Sequence, residues 1–289
     1  MDQGHIKAEE LHAWTAVAPG WRKHDARLVA QTAAVSSRLL DLAGLREGHR
    51  VLDIACGTGE PAIPAAMRVG ATGRVTATDF VEPMLDMARE KAAAQGLTHI
   101  EFLKADGEAL EVPSASVDAV TIRWGIMFMP DPLRCLKRAY EALKPGGRVA
   151  IACWSAPEKN AWVTIPMGVI KRHMEVPPPP PGATGIFSFA DPERIRQTLE
   201  DAGFKDLVLE EVSLSMADFD RGADFFAFTQ EIAGPIAALY AKLTPEIQAT
   251  VASEVAREAE DYCGAGGRVV IQGVTWVASG LKPLGALSK

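Results

Sequence analysis

Between Arg50 and Ala62 the chain reads Arg-Val-Leu-Asp-Ile-Ala-Cys-Gly-Thr-Gly-Glu-Pro-Ala. The run Val51–Ala55 has the apolar character of a short buried strand. Cys56–Gly59 then forms a tight turn with two glycines, where a Cβ would collide with a ligand or forbid the turn. Pro61 falls at the first position of a helix, where its missing N–H costs nothing. A strand that turns through glycine into a helix presents backbone N–H groups at the carboxyl edge of a parallel sheet. Such an edge suits a nucleotide-like cofactor.

The residues that follow repeat the alternation. Strands are expected at Val51–Ala55, Arg74–Asp79, Ile100–Lys104, Val117–Ile122 and Arg148–Cys153, with helices at Pro61–Val69, Pro83–Gln95 and Pro132–Leu143. Glu82-Pro83 and Asp131-Pro132 each read as an acidic N-cap followed by Pro at N1. Two further strand-like runs, Phe204–Met216 and Val269–Ser279, bring the total to seven. The fold class is therefore α/β: a doubly wound, mostly parallel, seven-stranded Rossmann-like sheet with its ligand site at the strands' carboxyl ends.

Three segments stand outside this alternation. Residues 1–49 read as a helical N-terminal cap, broken at Ala18-Pro19-Gly20. Residues 155–190 read as an insertion over the active site, with a helix from Trp162 to His173. The run Pro177–Pro181 must be extended and reads as a stiff surface connector. Residues 218–267 form a helical excursion between the last two strands, interrupted at Gly234-Pro235 and restarted at Thr244-Pro245. The excursion carries Phe225, Phe226 and Phe228, more aromatics than one helix face needs, so it reads as a lid. The core is thus 50–217 with 268–289, and 218–267 is the lid.

Gly57-Thr-Gly-Glu-Pro-Ala62 fits the dinucleotide pattern G-x-G-x-x-G/A, which alone identifies no cofactor. Asp79 ends the second strand and can accept from two ribose hydroxyls, which NAD and S-adenosylmethionine both carry. Asp53 lies four residues before Gly57. A negative charge aimed at that loop disfavours a pyrophosphate and suits an ammonium and a sulfonium. After the third strand, Asp106 can accept from an adenine amino group and the Gly107 N–H can donate to a ring nitrogen. Phe80 and Met84 could sandwich the adenine.

With Val51-Leu-Asp-Ile-Ala-Cys-Gly-Thr-Gly59, Val75-Thr-Ala-Thr-Asp79, Pro83-Met-Leu85, Ala105-Asp-Gly-Glu-Ala-Leu110 and Leu143-Lys-Pro-Gly-Gly-Arg148 in this order, the chain resembles the class I S-adenosylmethionine-dependent methyltransferases. The group in view includes the ubiquinone/menaquinone C-methyltransferases and is also described as methyltransferase type 11. The resemblance covers residues 35–153 well and the remainder loosely. It implies that Asp53, Ala55, Gly57 and Gly59 hold the amino-acid end of S-adenosylmethionine, Asp79 the ribose, and Ala105, Asp106 and Gly107 the adenine. It implies that Arg123 and the segment to Met129 reach the methionine moiety and the acceptor. It implies that the segment around Trp21 folds over the cofactor, and that the product is S-adenosylhomocysteine. Trp124, Met127, Phe128 and Met129 also fit plain core positions.

Other chemistries find less support. Tyr140-Glu-Ala-Leu-Lys144 matches a short-chain dehydrogenase pair but lies at a helix end before Pro145-Gly-Gly147. There is no phosphate loop and no Gly-x-Ser-x-Gly elbow. The six histidines are scattered; His24 and His173 are the ones that could approach a pocket as a general base. The net charge of -7 argues against a nucleic-acid partner held by phosphate contacts. The four cysteines are far apart and favour neither a metal site nor a disulfide framework. With no secretory core at Met1–Ile6 and no long apolar run, a cytoplasmic enzyme is expected, free or as a homo-oligomer. The expected activity is methyl transfer to an apolar or aromatic small molecule of quinone-precursor, polyketide, terpenoid or indole type. The alternatives are a catalytically silent S-adenosylmethionine-binding regulator and an NAD(P)-dependent dehydrogenase.

Overall fold

The computed structural model describes residues 3–178, 180, 182–264 and 266–284. In chain order the elements are α1 (Gln3–Leu42), β1 (Arg50–Ile54), α2 (Ala62–Val69), β2 (Arg74–Asp79), α3 (Glu82–Ala94), β3 (Ile100–Lys104), β4 (Val117–Arg123), α4 (Pro132–Ala142), β5 (Leu143–Trp154), α5 (Ala161–His173), α6 (Pro192–Asp201), β6 (Lys205–Phe219), α7 (Gly222–Ile232), α8 (Gly234–Tyr240), α9 (Pro245–Glu260) and β7 (Val269–Leu281). The strands form one seven-stranded sheet in the order β3-β2-β1-β4-β5-β7-β6. All neighbouring pairs from β3 to β5 are parallel, and β7 runs antiparallel to both β5 and β6. The doubly wound sheet expected from the alternation is the one observed.

The central strands are buried on both faces, as a parallel sheet covered by helices requires. Val51, Leu52, Ile54, Val120 and Ile122 are all at most 1% exposed. Lys144-Pro-Gly-Gly147 makes a bulge in β5, where the register against β4 jumps between Val117 and Ala119. Tyr140 and Lys144 therefore belong to different elements. The Tyr140 ring packs on Phe204 and the Lys144 ammonium reaches Asp118.

Several local expectations need correction. The break at Ala18-Pro19-Gly20 does not occur, and α1 runs unbroken for 40 residues with Pro19 inside it. A proline there removes one N–H and crowds the preceding turn, but tertiary packing outweighs this. Val17, Ala18 and Gly20 are buried. A Cβ on Gly20 would stand 1.9 Å from the backbone oxygen of Glu231 in α7. Only glycine permits that helix crossing. At α3 the N-cap is Val81 rather than Glu82, because the Asp79 carboxylate takes the Val81 N–H. Asp131 does cap α4, accepting from the Arg134 N–H at 3.0 Å. Pro61 is the N-cap of α2 rather than its first residue.

Helices α7 to α9 pack against α1, α5 and one another. Phe225, Phe226 and Phe228 are at most 3% exposed. Phe228 packs on His24 and Phe219, and Phe226 packs on Tyr240. Their number reflects the core that fastens this excursion to the body, not a pocket wall.

Candidate functional site

The strand order reverses between β1 and β4, and a crevice at their carboxyl ends is the consequence. Ala55 and Trp124, the residues just past these strands, both take positive φ, 58° and 59°. That region is uncommon for residues with a Cβ and is held here by the surrounding fold. A Cβ on Gly125 would come 2.3 Å from the Ala55 Cβ, so the close approach of the two turns depends on glycine.

A cavity of about 300 Å³ opens at this point. The turn after β1 forms its floor through Ala55, Cys56, Gly57 and Thr58, and α1 covers it with Lys7, Leu11, Trp14 and Trp21. The Asp79 carboxylate joins two backbone segments. Its Oδ2 accepts from the Gly57 N–H at 2.8 Å and its Oδ1 from the Val81 N–H at 2.9 Å. Burial pushes the Asp79 pKa up and these N–H donors pull it down, with burial the larger effect. The Phe80 N–H also acts on this carboxylate.

On the opposite wall, Asp106 Oδ1 accepts from the Glu108 N–H at 2.9 Å. Its Oδ2 meets the Lys7 ammonium at 2.7 Å, and Lys7 also contacts the Glu108 carboxylate. A Cβ on Gly107 would crowd Met129 Cε at 2.8 Å. Phe80, Met84, Ala105, Asp106, Gly107, Trp21 and Arg123 all line the cavity with Ala55, Gly57 and Asp79.

Asp53 and Gly59 do not line it. Asp53 is fully buried, its Oδ1 accepting the Thr121 hydroxyl at 2.6 Å. Its Oδ2 has no hydrogen-bond partner. Burial pushes its carboxyl up to about 7, against the pull of Thr121 and Arg123. Gly59, at φ 100°, serves the turn, where a Cβ would meet Ile63 at 2.7 Å. The acidic character expected of the site persists with other members. Glu10, Glu60, Asp79, Asp106 and Glu108 face the cavity, against the cations Lys7 and Arg123. That excess of carboxylate fits a ligand carrying positive charge.

A second cavity, of about 780 Å³, adjoins the first. Its wall carries Trp14, Trp21, Trp124, Trp154 and Trp162. Trp124 stacks on Trp154 with centroids 4.6 Å apart and planes 8° from parallel, and Trp162 packs on Trp154 at 4.8 Å. The Arg123 guanidinium lies 4.6 Å from the Trp124 ring centre. Trp14, Trp21, Thr58, Glu60, Arg123, Trp124 and Phe128 line both cavities. Arg123 is tied by Nε to the Glu60 backbone oxygen and by Nη1 to Thr32 Oγ1, while the Ser36 hydroxyl donates to Glu60 Oε2 at 3.0 Å.

The model of the ubiE/COQ5 methyltransferase family matches residues 32–165. A ubiquinone/menaquinone biosynthesis C-methyltransferase from Cronobacter sakazakii is 30% identical over 196 residues, covering 64% of this chain and 78% of its own length. This chain belongs to the ubiE/COQ5 methyltransferase family. It is a class I S-adenosylmethionine-dependent methyltransferase. Among solved structures it resembles a Bacillus halodurans protein assigned as a methyltransferase, with TM-score 0.56 and 21% identity over 86% of this chain and 98% of that one. It also resembles the [4+2]-cyclase SpnF, with TM-score 0.53 and 21% identity over 87% of this chain and 82% of that one. At such identities both likenesses concern the fold.

In this methyltransferase the two histidines singled out from sequence line neither cavity. His24 pairs with Glu231 at 2.5 Å and packs edge-on to Phe228. His173 faces Glu254 at 3.2 Å. Both fasten α7 or α9 to the body. Met127 is core, whereas Trp124 and Phe128 face both cavities and Met129 the first. Pro177 and Pro180 line the larger cavity, so the proline run is part of its wall rather than only a surface connector; Pro179 and Pro181 lie outside the described residues. Glu60, Trp154 and Trp162 were missed as site residues. Glu60 directly follows the Gly57–Gly59 turn, which is the one sequence signal that marks it. Among the described residues no group of three or more His, Cys, Asp or Glu side chains could hold a metal ion, and no helix is long and apolar enough to cross a membrane.

Proposed function

We propose that the enzyme methylates an apolar, aromatic acceptor of the quinol or phenol type, held in the tryptophan-lined cavity and facing the cofactor cavity across Glu60, Arg123 and Trp124. The observation that carries this reading is the shared wall: two cavities of different character meet at the same seven residues. The smaller is rich in carboxylates and the larger in indole rings. The names of the curated relatives, ubiquinone/menaquinone biosynthesis C-methyltransferases, support a quinone precursor and attack by carbon.

S-Adenosylmethionine supplies an activated methyl group on a sulfonium. The chain's part is to bind, align and exclude water. In this reading Asp79 accepts from the ribose while its N–H contacts hold the Gly57 turn in place. Asp106 and Gly107 meet the adenine edge, and Phe80 and Met84 flank its faces. Arg123, Ala55 and Gly57 face the amino-acid end, and Trp21 closes the top. Trp124 and Trp154 fix the acceptor's plane. Alignment of this kind can remove about 7–11 kcal/mol of barrier. Residues 1–49 act as a cap, 50–217 with 268–289 as the core, and 155–190 and 218–267 as walls and lid over the acceptor. The buried free thiols of Cys56, Cys135 and Cys153 accord with a reducing, cytoplasmic setting.

The test has two steps. Calorimetric titration with S-adenosylmethionine on wild type and Asp79→Ala checks the cofactor site, and binding of NADH in its place would overturn it. Transfer of labelled methyl to a panel of isoprenoid hydroquinones, simple phenols and aliphatic amines then checks the acceptor. Labelling confined to the amines would refute the aromatic reading.

A further inference from the structure

We infer that Glu60 accepts the acidic proton of the methyl acceptor. The inference rests on the reading of the larger cavity as the acceptor site, and it assigns that site its base.

Glu60 is the one carboxylate among the described residues lining the larger cavity, and no histidine, cysteine or tyrosine lines it with Glu60. The remaining ionisable groups on that wall, Arg123, Lys171 and Arg194, are cations at neutral pH and cannot take a proton. Glu60 also lines the cofactor cavity. It therefore stands where the methyl group must cross. Only 6% of the residue is exposed. The Ser36 hydroxyl, itself buried, fixes Oε2 at 3.0 Å, which leaves Oε1 as the oxygen open to a ligand. Arg123, bonded to the Glu60 backbone oxygen, places a positive charge beside the carboxylate.

In a phenolic acceptor the hydroxyl proton passes to Glu60 Oε1, and the O–H electron pair stays on oxygen and spreads to a ring carbon ortho to it. That carbon forms its bond to the methyl carbon while the sulfur–methyl pair returns to sulfur, leaving a neutral thioether. The ring carbon then sheds its own proton, the oxygen recovers one, and a single proton is released to water per methyl moved.

The experiment compares 1-naphthol with 1-methoxynaphthalene as ligands of the enzyme loaded with S-adenosylhomocysteine. Calorimetry gives the affinities, and quenching of the five tryptophans on the cavity wall confirms where the ligands go. Wild type is expected to prefer the naphthol by about tenfold or more, as a hydrogen bond to a charged group predicts. Glu60→Gln, which preserves shape and an acceptor oxygen, should reduce the preference to about threefold. Glu60→Leu should abolish it. An equal affinity of wild type for the two naphthalenes overturns the inference while leaving the acceptor site intact. So does a preference that survives in Glu60→Leu. A large loss of S-adenosylhomocysteine affinity in Glu60→Gln, with the preference unchanged, would assign Glu60 to the cofactor. Binding of neither naphthalene would remove the acceptor-site reading and this inference together.

Discussion

The Lys7 ammonium stands 2.7 Å from the Asp106 carboxylate, 99 residues away in the chain, and ties the first turns of α1 to the loop after β3. The proposed adenine partner therefore already has a cation beside it, and Glu108 shares that cation. A lysine over a site for a positively charged ligand opposes binding twice, by repulsion and by occupying Asp106. Lys7→Met should tighten S-adenosylmethionine binding by about fivefold at low salt, the scale of a partly exposed ion pair. In high salt the gain should shrink as the charges are screened. Calorimetry at two ionic strengths reads both effects, and weaker binding in the variant would show that α1 needs this pair to close.

One turn further along α1, Glu10 lines the same cavity and accepts the Trp14 indole N–H at 3.2 Å. Burial pushes its carboxyl up to about 7, and Glu9 adds to the rise while Trp14 opposes it. A cationic ligand favours the ionised carboxylate, so the loaded site holds fewer protons than the empty one. Affinity for S-adenosylmethionine should then rise with pH through about 7, by a few-fold between pH 6 and pH 8. S-Adenosylhomocysteine, which lacks the sulfonium charge, should show less of this slope, and Glu10→Gln should flatten it. A slope that persists unchanged in Glu10→Gln would place the titrating group elsewhere.

Asp53 titrates in the same range for a different reason and with a different readout. Its pKa in the folded chain, about 7, lies far above the ordinary carboxyl value. Between about pH 4 and pH 7 the folded chain holds a proton that the unfolded chain has lost, so this group's contribution to stability falls as pH climbs and is lowest above 7. Asp53→Asn removes the titration and keeps an acceptor for Thr121. The variant should gain melting temperature over wild type by a few degrees at pH 8 and much less at pH 5. Its affinity for S-adenosylmethionine should change by less than about threefold, because the side chain lies behind the cavity wall. A large loss of affinity would return Asp53 to the binding site.

The sheet was legible because each strand carries its own evidence: a short apolar run, closed by a turn residue, next to a helix of matching length. The wall of the smaller cavity was legible for the same reason, since Asp79 ends β2 while Gly57, Asp106 and Gly107 follow the ends of β1 and β3 by two or three residues. The wall of the larger cavity was not. It joins Trp21, Trp154, Trp162, Pro177 and Ile236, residues brought together by the packing of three insertions rather than by any local period. Pro19 misled for a related reason. Its local cost is real, and the contact of Gly20 with α7 that outweighs it lies 211 residues downstream. The histidines misled because their acidic partners, Glu231 and Glu254, belong to helices whose docking the sequence does not encode locally.

Gly168 offers a way to separate the two cavities. It lies inside α5, lines only the larger cavity, and an added Cβ there meets nothing within 4 Å. A glycine in a helix interior costs about 1 kcal/mol relative to alanine, so Gly168→Ala should stabilise the fold by about that amount. Gly168→Phe keeps part of that helix benefit and adds a ring to the wall of the larger cavity. It should bind S-adenosylmethionine as wild type does and raise the acceptor KM by about tenfold or more, an effect of lost volume at one wall. Melting curves, cofactor titration and methyl-transfer kinetics on the two variants separate these effects. A wild-type KM in Gly168→Phe would mean that the acceptor stops short of α5, against the Trp124–Trp154 stack.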